Sequence, residues 1–330
     1  MGPLDTLAGV LHRHPLLRYA LRRIGIALLL LVIVSILVFA ATQVLPGDAA
    51  DTILGRSATA AQKAILRRQL GLDRSLPAQY WSWIWGVLRG NLGYSFGSNE
   101  SVSAFIGARL GNSLVLALGT LAVLIPVSVV LGTVAGVRRG RGADHAISGV
   151  SLALIALPEF VTGTILALVL GISLAILPPT SIIPSGSGPL SDPRILVLPI
   201  LTLCMAGAAY IIRMLRAGVV EAMASDYVQA ARLNGIPERR VIIWHSLRNA
   251  LAPTVQVVAL TVQWLVGGVV VVESVFSYPG LGQGLVQSVI AHDIPVVQAL
   301  TLLIAAVYIL LNLIADMLVI MLVPKLRTTL

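Results

Sequence analysis

The chain has 330 residues, 57% of them hydrophobic and 11% charged, with a formal net charge of +9. Soluble domains carry about 25% charged residues, so this composition excludes an ordinary water-soluble globule and points to a membrane protein. The positive balance does not call for nucleic acid, because the basic residues flank apolar runs, where they set topology and meet anionic lipid.

Residues 1–23 read as a cytoplasmic lead-in, with His12 and His14 as solvated tail residues. Six apolar runs follow, at 24–44, 114–137, 147–177, 195–215, 251–272 and 298–323. Each approaches the roughly 20 residues that a helix needs to cross hydrocarbon. Pro158 and Glu159 interrupt the third. Helices are the economical reading, since each satisfies its own backbone in lipid, and the alternating strands of a barrel are absent. The first run is too long for a secretory h-region and reads as an uncleaved span. With the N-terminus inside, 15 of the 23 basic residues fall on inside segments, which fixes the orientation. The expected fold is an all-α polytopic membrane protein with six transmembrane helices and both termini cytoplasmic.

Between the first two spans, residues 45–113 form a long outer segment. Thr59 and Gln62 make a capping box for a helix that ends near Leu70 and Gly71. A second helix opens at Pro77 after Ser75, with Tyr80, Trp81, Ile84, Trp85 and Leu88 on one face. That face suits either the outer lipid boundary or a neighbouring subunit. Residues 138–146 read as a short inside loop, and 178–194, rich in Pro, Ser and Gly, as an irregular outside connection.

Catalytic and metal chemistry find no foothold. Cys204 is the one cysteine, and the five histidines form no HxxxH or HExxH pair. The two lysines, Lys63 and Lys325, do not follow glycine, so the chain lacks the phosphate-binding loop of an ATPase. No nucleophile–base pair is visible. The chain reads as a non-enzyme that binds no cofactor or metal of its own.

The segment 221–253 stands out as polar, charged and punctuated by caps. Asp226 is read as an N-cap with Gln229 completing a capping box. Gly235 suits a left-handed helix end, and Pro237 forbids continuation. The small pair Ala230-Ala231 leaves room for another surface to approach. Pro237 and Glu238 then open a second helix that runs into the fifth span. A plain connection needs only a few residues, so this segment is expected to dock a partner.

From here the sequence resembles a known family. DYVQAARLNGIPERRVIIWHSLRNALAP is similar to the cytoplasmic loop of ABC-transporter permeases, and more narrowly to the B-type permease of dipeptide and oligopeptide importers. The matching positions are Asp226, Tyr227, Val228, Ala230, Gly235, His245, Arg248, Asn249 and Pro253. The resemblance extends to Leu45-Pro46-Gly47-Asp48, to 70–80, to GNLGYSF at 90–96, to VVESVFSYPGLG at 271–282, to HDIPVVQ at 292–298, and to Asn312 and Asp316. Gln229 stands where the family's loop carries a glutamate, Asn112 where a proline is common, and the family's terminal D-P-R is reduced to Val323-Pro324-Lys325.

The resemblance implies a type I importer permease in the bacterial plasma membrane. Its domains would be an N-terminal segment 1–23, a first span 24–44, the outer segment 45–113, a five-helix core 114–323 containing a coupling loop at 221–250, and a tail at 324–330. Its partners would be a second permease of the same family, two nucleotide-binding subunits or a fused one holding ATP and magnesium, and an extracytoplasmic solute-binding protein. The coupling helix would be carried by Asp226, Tyr227, Gln229, Ala230, Ala231, Arg232 and Gly235. The expected cargo is dipeptides or oligopeptides, with nickel complexes, haem or glycan fragments as variants within the family. A self-sufficient secondary transporter or channel is the alternative of another class, and would need coupling-ion sites or inverted repeats.

Ionisable residues within spans are functional candidates by default. Glu159, Glu273 and Asp316 would each line the pathway or gate, or else make internal bonds. Asp316 leans to a structural role, Glu273 to shaping an outer gate, and Glu159 stays open between the two. Gly267-Gly268 permits close helix packing.

Overall fold

The computed structural model describes residues 15–44, 59–69, 73–184 and 186–322. The quoted motifs at 45–48, the helix stop at Gly71, His12, His14, and the tail from Val323 through Lys325 lie outside them. Among the described residues the fold is helical, with one isolated backbone bridge, Tyr94 to Ser101.

Among the described residues, five helices are long and apolar enough to cross a membrane. In chain order the elements are α1 (Pro15–Val44), α2 (Ala60–Gln69), α3 (Leu76–Leu88), α4 (Val102–Val137), α5 (Gly142–Ala156), α6 (Glu159–Leu166), α7 (Arg194–Met223), α8 (Asp226–Leu233), α9 (Glu238–Arg240), α10 (Arg248–Val275), α11 (Leu281–Ile290) and α12 (Ile294–Leu322). α6 continues as a π-helical turn, Ala167–Ser173, and α9 joins α10 through another, Val241–Leu247. The five long helices are α1, α4, α7, α10 and α12, and the bent pair of α5 with the α6 stretch makes a sixth crossing if it spans as one. Pro126, Pro199 and Pro253 sit inside three of them, a placement that membrane helices tolerate because neighbouring groups recover the freed carbonyls.

The third run is not one straight helix. α5 and the α6 stretch Glu159–Ser173 meet at an angle of 109°. The cause is local: a proline pushes the preceding residue out of the α region, and Leu157 is extended at φ −98, ψ 125. The helices also begin earlier than hydropathy suggests. α4 starts at Val102, α5 at Gly142 and α7 continues to Met223. The inside loop after α4 therefore shrinks to residues 138–141, and residues 221–223 belong to a long helix.

Two compact units emerge, one centred on Val115–Tyr278 and the other on Arg23–Leu114 with Pro279–Leu310. In the first, α7 is the axis. Leu198, Leu203, Ile211, Leu215 and Val219 along it are fully buried, and α10 packs along its length. The connection after α6 is pinned to this core by Ser181, whose N–H donates to the Phe276 carbonyl at 2.7 Å and whose hydroxyl donates to the Ile195 carbonyl at 2.5 Å.

In the second unit, the start of α4 packs with α11 and α12 through Val102, Phe105, Ile106, Leu281, Val296 and Leu300. Thr59 and Gln62 form the expected box, with Thr59 N–H on Gln62 Oε1 at 2.9 Å and Gln62 N–H on Thr59 Oγ1 at 3.4 Å. α3 begins after Ser75 as expected. Its anchors on α1 are Tyr80, edge-on to Phe39 at a centroid distance of 5.5 Å, and Trp83, stacked on Phe39 at 6.0 Å. Trp81, Trp85 and Leu88 remain exposed.

Candidate coupling site and charged residues of the spans

α7 ends at Met223, and two residues later α8 begins. The cap is Ser225, not Asp226, which is the first helical residue. Ser225 takes the extended backbone of a cap, but its hydroxyl turns back to the Ala222 carbonyl at 2.5 Å, so the expected box with Gln229 does not form. Asp226 sits instead in the first turn, where the helix dipole favours an acid.

The far end of α8 follows the local sequence closely. Gly235 has φ +73, and its N–H reaches the Arg232 carbonyl at 2.9 Å, while Ile236 N–H reaches Ala231 at 3.2 Å. These are the two bonds of a Schellman closure. Ile236 packs beneath the helix with Val228, Ala231, Val241 and Met223. Val228 and Ala231 are three residues apart and so share a face. That register divides the small pair: Ala231 is buried in the segment's own core, and Ala230 faces out. Asp226, Tyr227, Gln229, Arg232 and Leu233 are also exposed, and Leu233 is 89% exposed.

Arg232 is already engaged. Its guanidinium donates to Glu238 at 2.6 and 3.1 Å, clipping α8 to α9 across the Gly235 turn. That hydrogen bond holds the Glu238 carboxyl below its ordinary range and raises the Arg232 guanidinium. The pair is half-exposed, so its contribution is small. After α9 the chain widens into the π-helical turn and enters α10, and Asn249 Nδ2 donates to the His245 carbonyl at 3.0 Å.

The three carboxylates named above occupy separate settings. Glu159 is the first residue of α6, half-buried behind Pro158. One turn on, Gly163 lies against Phe276 and Thr202, where a β-carbon would come within 3.2 Å of each. Glu273 is fully buried near the end of α10. Its backbone carbonyl accepts the Tyr278 N–H at 2.8 Å. Burial first, and then the Glu273 charge, push the Tyr278 phenol up. Asp316 is half-buried in α12. Among the described residues, no group of three or more His, Cys, Asp or Glu converges. Gly268 lets α10 approach Leu203 of α7, with its absent β-carbon 3.3 Å from that side chain, while Gly267 faces open space.

Two features escaped sequence reasoning. In the second unit, Asp293 is 4% exposed and accepts from the Ser95 hydroxyl, from Phe96 N–H at 3.1 Å and from Gly97 N–H at 3.2 Å. This single carboxylate joins the two motifs GNLGYSF and HDIPVVQ. Beside it, Gln298 Nε2 donates to Thr42 at 2.8 Å. A cleft of about 450 Å³ in the same unit is walled by Phe39, Trp83 and Tyr94 and carries the polar side chains of Gln43, Arg74 and Asn91. Amide and guanidinium groups beside aromatic walls suit a polar organic molecule more than an ion. The second feature, Asp144 with Arg216, is taken up below.

Known proteins supply the context for this arrangement. Residues 128–328 match the model of the binding-protein-dependent transport system inner membrane component, and residues 16–117 match the N-terminal model of the same systems. A Brucella ovis protein provisionally named a peptide permease is 37% identical over 319 residues, covering 95% of this chain and 100% of that protein. A Brucella abortus protein provisionally named a peptide transport system permease is 34% identical over 307 residues, covering 93% and 98%. A glutathione transport system permease of Salmonella choleraesuis is 36% identical over 312 residues, covering 94% and 99%. The agreement runs from the first span to the last, and takes in both the α8 segment and the second compact unit. The chain therefore belongs to the inner membrane components of binding-protein-dependent transport systems, the permeases of ABC importers, and is a multi-pass protein of the bacterial inner membrane.

Proposed function

We propose that this permease carries short peptides into the cell, and that α8 is its contact with the subunit that hydrolyses ATP. The observation that carries the reading is α8 itself. It is an eight-residue helix closed at its C-terminal end by a Schellman motif, seated on α7 and the turn into α10, and it presents Tyr227, Ala230 and Leu233 outward. A rigid, short, outward helix between two spans suits the transfer of a rigid-body movement. Asp226, Gln229 and Gly235 complete the contact, Arg232 stiffens it through Glu238, and Ala231 supports it from beneath.

The peptide assignment draws on relatives named for peptide and glutathione transport. In this reading the permease itself is non-catalytic and binds no cofactor. ATP and magnesium belong to two nucleotide-binding subunits, separate or fused, and the assembly also holds a second permease and an extracytoplasmic binding protein. The N-terminal segment and the tail lie in the cytoplasm, 45–113 lies outside, and 221–250 is the coupling loop. Glu159, half-exposed at the start of α6, is the candidate to meet a substrate ammonium. Glu273 shapes an outer gate with Tyr278, and Asp316 supports α12.

The test is to tag this chain, purify it in mild detergent from its native operon, and reconstitute the complex. ATP hydrolysis is then measured with dipeptides, tripeptides, glutathione, haem and a nickel chelate. Co-purifying ATPases and stimulation by peptides are expected. Stimulation by haem or nickel alone would replace the cargo assignment, and transport by the isolated chain without ATP would overturn the importer.

A further inference from the structure

We propose that Asp144 and Arg216 are a positioning pair that ties α5 to α7, so that α8 moves with a block of helices and not by itself. The proposal rests on the reading of α8 as the ATPase contact.

Asp144 stands in the first turn of α5 and is 2% exposed. Its Oδ1 accepts from Arg216 Nε at 2.5 Å and from the Ser148 hydroxyl at 3.2 Å. Its Oδ2 accepts from Arg216 Nη2 at 2.7 Å and from Gly140 N–H at 2.9 Å. One carboxylate thus joins the turn after α4, the start of α5 and the last third of α7. A bidentate guanidinium–carboxylate pair fixes angle as well as distance.

The surrounding packing explains why this tie matters. α4 needs no such tie to α7. A β-carbon on Gly136 would fall 2.6 Å from Val219, and one on Gly132 would fall 3.0 Å from Leu215, so the two backbones lie against each other. α10 is held in the same way, with Gly218 3.1 Å from Ala250 by the same measure. α5 is different. An apolar cavity of about 370 Å³ lies among α4, α5 and α7, lined by residues that include Val127, Ala146, Val150 and Met205. Beside that cavity Ile147 of α5 packs against the buried core of α7, and the ion pair adds the directional attachment at the start of α5. α8 then follows α7 directly and shares Met223 with its own small core. On the α7 side α8 follows after two residues, and on the α10 side it is joined through α9 and the π-helical turn Val241–Leu247. The 109° bend and the other π-helical turn, Ala167–Ser173, lie beyond the far end of α5.

The experiment uses the complete complex reconstituted with its ATPase and binding-protein subunits. Cys204 is the only cysteine and is buried, so spin labels report on introduced cysteines. Labels go at Leu152→Cys on α5 and Glu221→Cys on α7, both exposed positions. Distances are read without nucleotide and after trapping with ATP and vanadate. The pair predicts one narrow distance, unchanged between the two states. Asp144→Asn is expected to broaden that distance and shift it on trapping. Because Asp144→Asn strands a charge, the double variant Asp144→Asn/Arg216→Gln, which removes both charges together, is measured beside it and is expected to broaden likewise. A native distance that changes between states would overturn the proposal, as would a double variant as narrow as the native protein. The α8 reading fails by a different sign: unchanged ATPase retention in Leu233→Asp, which leaves the α5–α7 distance untouched.

Discussion

Leu233 and Ala231 are two residues apart on α8 and answer different questions. Leu233 is 89% exposed and Ala231 is 6% exposed. Successive helical residues are about 100° apart, so the inward face taken by Val228 and Ala231 necessarily turns Leu233 out. Nothing in the fold depends on the Leu233 side chain, whereas burial of a leucine at an interface is worth about 1.5–3 kcal/mol. Leu233→Asp should therefore leave membrane abundance unchanged and lower the ATPase retained per permease by about tenfold or more. Quantitative co-purification checks this, and equal retention would remove Leu233 from the contact. Ala231→Arg should behave in the opposite way. It forces a charge into the segment's own core, so it should lower abundance and thermal stability in detergent before docking can be scored. A docking defect seen with Ala231→Arg alone would say little about the interface, and Ala230→Arg is the matched surface variant.

At the scale of elements, local signals in the sequence were the reliable ones. The Thr59–Gln62 box and the Gly235–Pro237 helix end depend on residues within a few positions of each other, and both helices stop or start where those residues say. The Asp226 cap misread was also local: two adjacent residues, Ser225 and Asp226, are both good caps, and the chain puts the serine at the cap position with its hydroxyl turned back to Ala222. What was not legible joins distant segments. Asp293 and Ser95 are 198 residues apart, and Asp144 and Arg216 are 72 apart. Neither residue type nor spacing reveals such a pairing in a single sequence. Asp293 carries a prediction at this scale. Asp293→Asn keeps one acceptor oxygen and turns the other into an NH₂, so either the Phe96 N–H on Oδ1 or the Gly97 N–H on Oδ2 loses its acceptor. Losing a buried acceptor costs about 1–3 kcal/mol per orphaned donor. The amide proton of Phe96 or of Gly97 should then exchange roughly tenfold or more faster, while α7 and α10 keep their protection. Hydrogen exchange by mass spectrometry reads both in one experiment. Unchanged exchange at 95–98 would mean that the tight turn holds itself.

For the whole molecule, the open question of the bent pair has a geometric answer. The stretch α5–α6 is either a broken crossing or a loop that re-enters and leaves on the same side. Asp293 meets the backbone of Phe96 and Gly97 at 3.1 and 3.2 Å, so residues 95–97 and 293 lie on one side of the membrane. Between them the chain passes α4, the bent pair, α7 and α10. Returning to the same side takes an even number of crossings, and the three long helices alone are odd. The bent pair must cross. The Asp144–Arg216 contact gives the same parity from another place, because the start of α5 and the end of α7 share a side only if the bent pair and α7 both span. Six crossings then put 186–193 outside and 224–240 inside when the N-terminus is inside. Since Cys204 is buried, single cysteines at Trp85, Leu190 and Arg239, all exposed, can be probed with a membrane-impermeant maleimide. Trp85→Cys and Leu190→Cys should label in intact spheroplasts, and Arg239→Cys only after permeabilisation. A re-entrant bend would invert the last two, placing Leu190 inside and α8 outside, where no cytoplasmic ATPase can reach it.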